Sequence, residues 1–238
     1  MTQPLLLPGA DPRVLIVCDH ASNAVPRGLD LGVPAQAMTE HVAWDIGAAA
    51  VTARAAASLG CRAWLAQASR LVVDCNRPPD HSIPERSDGI VIPANVGLSP
   101  TDRAWRLALH HAFHDGLDAL VAEQRPALLV SLHSFTPALA SAPAPRPWPI
   151  AILWNRDERA AKLGLAHLAT EPDLGGPVGA NEPYSGKVLN YTMDRHAEAA
   201  CIPYLGFEIR QDLIANDQGA DRWAAVVVRT IRTTLDAL

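Results

Sequence analysis

Apolar, β-compatible runs recur along the chain at residues 14–18, 63–66, 71–73, 127–132, 150–154 and 204–209. Helical spacing fills much of the chain between them, and this alternation constrains the fold more than any other feature. Strands that take turns with helices build an α/β domain around a central, mostly parallel mixed sheet flanked by helices. The helical stretches are residues 40–59, rich in alanine and stopped by Gly60; 101–124, with Ser99 or Thr101 placed to cap it; 156–168; and 220–238. In the last, Trp223, Val226, Val227, Ile231 and Leu235 fall on one stripe, which predicts a closing helix packed on the sheet. With 238 residues, 49% hydrophobic and 19% charged, the chain is expected to form a single domain over residues 1–238 with one core.

Charge and segment lengths exclude several classes. A net charge of −5 gives no basic field for a phosphate backbone, so no nucleic-acid partner is expected. The opening residues carry no basic leader and are interrupted by Pro4 and Pro8, and the longest apolar stretch, 48–59, is short and contains Arg54. The expectation is therefore a cytoplasmic protein with no membrane association. Cys18, Cys61, Cys75 and Cys201 are scattered without a CxxC pair, which suits reduced thiols better than a disulfide framework or a zinc knuckle. Two proline-crowded stretches, 76–100 and 134–149, exceed ordinary connections and are read as loops that shape a site.

In an open α/β sheet, ligands bind beyond the carboxyl ends of the strands, so the residues that follow each apolar run carry the information. After the first run come Asp19 and His20, after the third Asp74, Asn76 and Arg77, after the fourth His133 and Ser134; Glu208 and Arg210 interrupt the last. A lone strand-end histidine is more often a hydrogen-bonded structural residue than a ligand. Two histidines, several acids and two arginines at one sheet edge make a stronger case for chemistry. Two imidazoles, an oxygen ligand and an open position describe a catalytic zinc site, with a separate carboxylate to take a proton from water. His20 and His133 supply the nitrogens. Asp45 leads as the oxygen ligand because an anionic carboxylate is the better donor, with Asn23 as the alternative; Asp19 is a candidate partner behind a ligand, and His41 a further candidate ligand. His110 and His114 have the i, i+4 spacing of helical zinc ligands but lack the glutamate of HExxH, and are read as a surface or site-lining face. No GxSxG elbow, GxGxxG turn or phosphate-binding GxxxxGK loop is present.

The blocks "VCDHASNAVP", "HVAWDIGA", "SRLVVDCNRPP", "SLHSFTP", "NEPYSG" and "GFEIRQDLI" resemble, in order, those of the N-formylglutamate amidohydrolase family. The likeness runs from about Val14 to Ile214. The family is similar in architecture to zinc carboxypeptidases and aspartoacylases, which implies the same hydrolase-like mixed sheet, one divalent metal ion of the zinc type, and a metal-activated water. In those relatives the first metal motif is His-x-x-Glu; here Asn23 stands at the fourth position. By resemblance, Asn76 and Arg77 hold a substrate carboxylate, which also fits the bidentate fork of a guanidinium. Arg70 takes the position of an arginine that polarises the scissile carbonyl, and Glu208 that of the general base. Tyr184 is a hydrogen-bond donor on a loop that closes over substrate, and Arg210 contacts a second substrate carboxylate. The implied activity is hydrolysis of a small anionic N-acyl amino acid, N-formyl-L-glutamate foremost. The alternatives are a zinc peptidase on short peptides and a binding module that has lost turnover. Nothing in the sequence fixes an oligomeric state.

Overall fold

The computed structural model describes residues 3–141 and 143–238. Along the chain come β1 (Leu5–Leu7), β2 (Asp11–Cys18), α1 (Ala48–Leu59), β3 (Cys61–Leu65), a short ribbon of β4 (Arg86–Ser87) and β5 (Ile90–Val91), and α2 (Pro100–Gln124). Then follow β6 (Leu128–Phe135), β7 (Ile150–Leu153), α3 (Arg159–Leu168), β8 (Gly179–Ala180), α4 (Tyr191–Met193), β9 (Tyr204–Arg210) and α5 (Asp217–Ala237). Seven strands form one sheet in the order β1-β3-β2-β6-β9-β7-β8. The middle strands β3, β2, β6 and β9 run parallel, while β1 and the β7–β8 pair run against their inner neighbours. This is the mostly parallel mixed α/β sheet that the alternation of runs predicts.

Alternation along each strand divides the core into two layers. Ile16, Val130 and Phe207 face a cluster that includes Val51 and Ala55 of α1, Ala160 and Leu168 of α3, and Trp223, Val227 and Ile231 of α5. Leu15, Val17, Leu129 and Tyr204 face the other way, against Phe113, Leu117 and Leu120 of α2. Helices on both faces bury β6 completely, which is why it reads as a nearly continuous apolar run. The ends are set locally: Ser99 Oγ accepts from Asp102 N at 3.1 Å ahead of Pro100, Asn216 Oδ1 accepts from Gly219 N at 2.9 Å, and α1 stops at Gly60 in the left-handed region. Among the described residues no helix is long and apolar enough to cross a membrane. Cys18, Cys61 and Cys75 are buried free thiols and Cys201 is exposed.

Three expectations need correction. Residues 71–73 do not form a strand. Ser69 O accepts from both Val72 N (2.8 Å) and Val73 N (3.3 Å), so the chain turns there, and the three side chains enter a separate cluster with Leu31, Ala43 and Ile92. Helix α1 starts at Ala48 rather than at residue 40, because Gly47 adopts φ +81° and interrupts the pattern. Finally, His133 and Ser134 lie inside β6 rather than after it.

Candidate metal centre

The adjacency of β2, β6 and β9 brings three distant segments to one sheet edge. His20 is the second residue after β2, and His133 stands near the end of β6, where the register sets it opposite Glu208 of β9. Asp45 comes from the turn before α1, and its backbone is fixed at both sides: Asp45 N donates to His20 O (3.0 Å) and Asp45 O accepts from Ala48 N (3.1 Å). Gly47 completes that turn. A Cβ there would lie 2.3 Å from Ile214 O, so both the positive φ and the close approach require glycine.

Asp45 Oδ2 lies 3.3 Å from His20 Nδ1 and 3.0 Å from His133 Nδ1, and accepts from Ser134 N at 3.2 Å. One donor atom from each of His20, Asp45 and His133 falls within 4.8 Å of the others, and all three residues are buried. Around a tetrahedral ion with bonds of about 2.0–2.1 Å, ligand atoms stand roughly 3.3 Å apart, close to the two separations between Asp45 Oδ2 and the imidazoles. The opposite ring nitrogens are held from behind. His20 Nε2 lies 2.7 Å from Asp74 Oδ1, and His133 Nε2 lies 3.2 Å from Asp19 Oδ2. A proton on His20 Nε2 is hydrogen-bonded to Asp74, one on His133 Nε2 lies within ion-pair distance of Asp19, and each Nδ1 is left on the Asp45 side, the carboxylate–histidine–metal arrangement. Two imidazoles and a carboxylate are a donor set that suits zinc. The residues present therefore fit a divalent ion.

The electrostatics agree with this fit. Burial alone would raise Asp45, but His20 and His133 outweigh it and hold the carboxyl well below its usual range. Burial would lower His133, yet Asp19 and Asp45 raise it well above an ordinary imidazole. His20 is raised too, with Asp74 and Asp45 overcoming burial and the Arg70 charge. Without an ion the imidazoles carry protons between carboxylates; a cation would take the place of those protons.

A cavity of about 130 Å³ opens beside these donors. Glu208 lines it, buried, with Oε2 lacking a hydrogen-bond partner among the described residues; burial, with the Asp45 charge, pushes its pKa up to about 7 against the pull of His133 and His20. Arg70 lines it as well, with Nη1 3.3 Å from Asp45 Oδ1 and Nη2 3.0 Å from Asp74 Oδ2. Asn76 and Arg77 form another wall. Asn76 Oδ1 accepts from Thr192 N (3.1 Å), and Arg77 Nη1 donates to Asn76 O (2.9 Å) with no ion pair among the described residues. Tyr184 closes a further side, its hydroxyl accepting from Arg146 Nη1 at 3.0 Å.

The other candidates divide between the cavity and its surroundings. Asn23 Nδ2 donates to Met38 O at 2.7 Å, and Asn23 is not part of the cavity wall. Arg210 leaves the strand end to pair with Asp212 (2.8 Å) and is not part of the cavity wall. His110 and His114 are neither at the surface nor in the site: they are buried behind it, His110 Nε2 donating to Arg77 O and His114 Nε2 to Cys75 O, both at 2.9 Å. His41 does line the cavity, with Nε2 3.1 Å from Asp88 Oδ2. Reading by sequence misses Asp74 as the partner of His20, although its place at the end of an apolar run was a signal. It also misses Thr192, whose hydroxyl donates to Asp19 Oδ1 at 2.9 Å and whose neighbours give no pattern.

Sheet, strand-end site and donor set together define an α/β protein with a buried His–Asp–His cluster that could bind a metal ion. The chain belongs to the N-formylglutamate amidohydrolase family, whose model matches residues 12–215. It is similar over its whole length to a gene product of Agrobacterium tumefaciens solved by crystallography, with 30% identity, a TM-score of 0.91 and 96% of that chain covered. The crystal structure of N-formylglutamate amidohydrolase from Ralstonia eutropha JMP134 is similar in fold, with 18% identity, a TM-score of 0.69 and coverage of 100% of this chain and 97% of that one. Among curated proteins no sequence matches significantly.

Proposed function

We propose that the protein is a metal-dependent amidohydrolase that cleaves a small anionic N-acyl amino acid, with N-formyl-L-glutamate as the foremost substrate and formate and glutamate as products. The observation that carries this reading is Glu208: a buried carboxyl with an oxygen unpartnered among the described residues, a pKa near neutrality, and a place opposite His133 in the same cavity. A group of that kind exchanges protons at working pH, as a general base and acid must. His20, Asp45 and His133 would hold the ion, zinc in this proposal. When bound, the ion supplies a Lewis acid that acidifies water and polarises the acyl oxygen.

The chain's own residues do the rest. Glu208 Oε2 takes the proton of the attacking water and later delivers it to the departing nitrogen, so that the amine leaves neutral. Arg70, anchored by Asp45 and Asp74, turns its positive charge toward the oxygen on which negative charge develops. Arg77 and Asn76 bind the α-carboxylate; Arg77 is suited to this because no acid among the described residues occupies it. Family membership and the donor cluster support this assignment.

The test is a screen of N-formyl and N-acyl amino acids with elemental analysis of wild-type, Glu208→Gln and His133→Ala protein. Glu208→Gln should keep its metal and lose roughly 10²–10⁴-fold in kcat, while His133→Ala should lose metal and activity together. Near wild-type turnover in Glu208→Gln would remove Glu208 from the mechanism.

A further inference from the structure

His110 and His114 have no part in the donor cluster, yet both reach the segment that carries Asn76 and Arg77. They stand one turn apart on α2, fully buried, with ring centroids 4.4 Å from each other. His114 Nε2 lies 2.9 Å from Cys75 O and His110 Nε2 lies 2.9 Å from Arg77 O, so the carbonyl before Asn76 and that of Arg77 are each held by an imidazole. The peptide between Cys75 and Asn76 is gripped from both sides, because Asn76 N donates to Asp74 Oδ1 at 2.9 Å. The peptide between Arg77 and Pro78 has no N–H, and the carbonyl that His110 takes is its only polar group.

Whether an imidazole can hold a carbonyl depends on which nitrogen carries the proton. His114 Nδ1 lies 2.8 Å from Nε2 of His196, in the turn that follows α4. Beyond it, His196 Nδ1 stands 2.8 Å from Asp118 Oδ1 without meeting it in hydrogen-bond geometry. Cys75 O and the Asp118 carboxylate both only accept, so three full hydrogen bonds along this chain would need three protons on two rings. Burial, with the neighbouring His110 and His196, lowers His114 to about 3, and burial lowers His196 as well, despite Asp118. The pair is therefore neutral near neutral pH, with two protons for three contacts. Asp118 can forgo the imidazole, because its side chain is about half exposed and its other oxygen accepts from Arg195 Nη2 at 2.7 Å. Cys75 and His114 are buried, where a contact without a proton costs most. Thr192 Oγ1 lies 3.3 Å from Cys75 O but gives its proton to Asp19.

We propose that His114 and His196 are positioning residues for substrate binding: His196 Nε2 donates to His114 Nδ1 and so keeps the His114 proton on Nε2, where it holds Cys75 O. Together with His110 on Arg77 O, this keeps Asn76 and Arg77 turned into the cavity. A substrate carboxylate then meets an amide and a guanidinium already in place, whereas a loosened segment would have to be ordered on binding. This rests on the assignment of Asn76 and Arg77 to the substrate carboxylate.

The experiment pairs nitrogen NMR of the imidazole rings with steady-state kinetics on N-formylglutamate and metal analysis. In wild type near neutral pH, His114 should be protonated at Nε2 and bare at Nδ1; the opposite tautomer overturns the chain of donors whatever the protein hydrolyses. His114→Phe should raise KM about tenfold with kcat within about threefold and metal retained. His114→Gln, whose amide donates to Cys75 O without choosing a tautomer, should recover most of that KM. A folded His114→Phe with wild-type KM, or a KM that His114→Gln does not recover, would overturn the positioning role. Asp118→Asn leaves the core undisturbed and offers His196 Nδ1 an amide proton, which favours the same tautomer. Its KM should not exceed that of wild type, and a raised KM would overturn the direction of the chain even if His114→Phe did not fold. Wild type hydrolysing no N-formyl amino acid would overturn the hydrolase reading and the substrate role with it, while the tautomer would still decide how the segment is held.

Discussion

The two carboxylate oxygens of Asp45 face different neighbours: Oδ2 meets both imidazoles and the Ser134 amide, and Oδ1 meets Arg70. An acid so placed can serve the donor cluster with one oxygen while the other anchors the arginine of the cavity. Glu208 has the opposite situation, with an oxygen that has no hydrogen-bond partner among the described residues, and its raised pKa has a kinetic consequence. A general base must be ionised to accept a proton. Because burial moves Glu208 up to about 7, its protonated, inactive form persists almost to neutrality. The rate, measured as kcat/KM against pH, should therefore rise through about pH 7 and fall away below it; a flat profile down to pH 5 would assign the base elsewhere. His20, His133 and Glu208 are legible in the sequence because each breaks or ends an apolar run. Asp45 competes there with Asn23, and only the turn before α1 separates them. The path of Arg210 is not legible, since alternation predicts a strand face but not where a long side chain goes once the strand has ended.

At the scale of elements, the five longest strand runs are readable because both faces of the sheet are covered and the runs are nearly all apolar. Residues 71–73 show the limit of that signal. Three buried apolar residues in a row also suit a turn beneath long loops, and no alternation can be read from so few. Strands β1 and β8 go unread for a related reason, being three and two residues long at the sheet margins. The start of α1 is more consequential. Alanine content favours helix through the stretch, but the left-handed Gly47 sets the turn that presents Asp45. Gly47→Ala must accommodate φ +81° and a Cβ 2.3 Å from Ile214 O, at a cost on the order of 1–3 kcal/mol. Denaturant unfolding should show that loss, and metal titration of the same protein should show weaker binding because Asp45 moves with the turn. Unaltered binding would mean that Asp45 is held by its side-chain contacts alone.

For the whole molecule, the donors tie together three segments that are far apart in sequence, so an ion bound there should stabilise the entire fold. At a free metal concentration about a thousandfold above its Kd, mass action contributes about 4 kcal/mol. For a chain of this size that corresponds to a Tm shift on the order of 10 °C. Calorimetry before and after chelation should show a drop of that size, reversed by adding metal back; an unchanged Tm would argue against a metal held by the folded state. The strand order carries a different consequence, for synthesis. β9 lies between β6 and β7, although β7 precedes it in the chain. During translation β7 and β8 leave the ribosome with no edge of the main sheet to join until β9 has emerged and paired with β6. Assembly of this sheet therefore cannot follow the order of translation. A nascent chain halted before Tyr204 carries His20, Asp45 and His133, but neither Glu208 nor the strand that joins the two halves of the sheet.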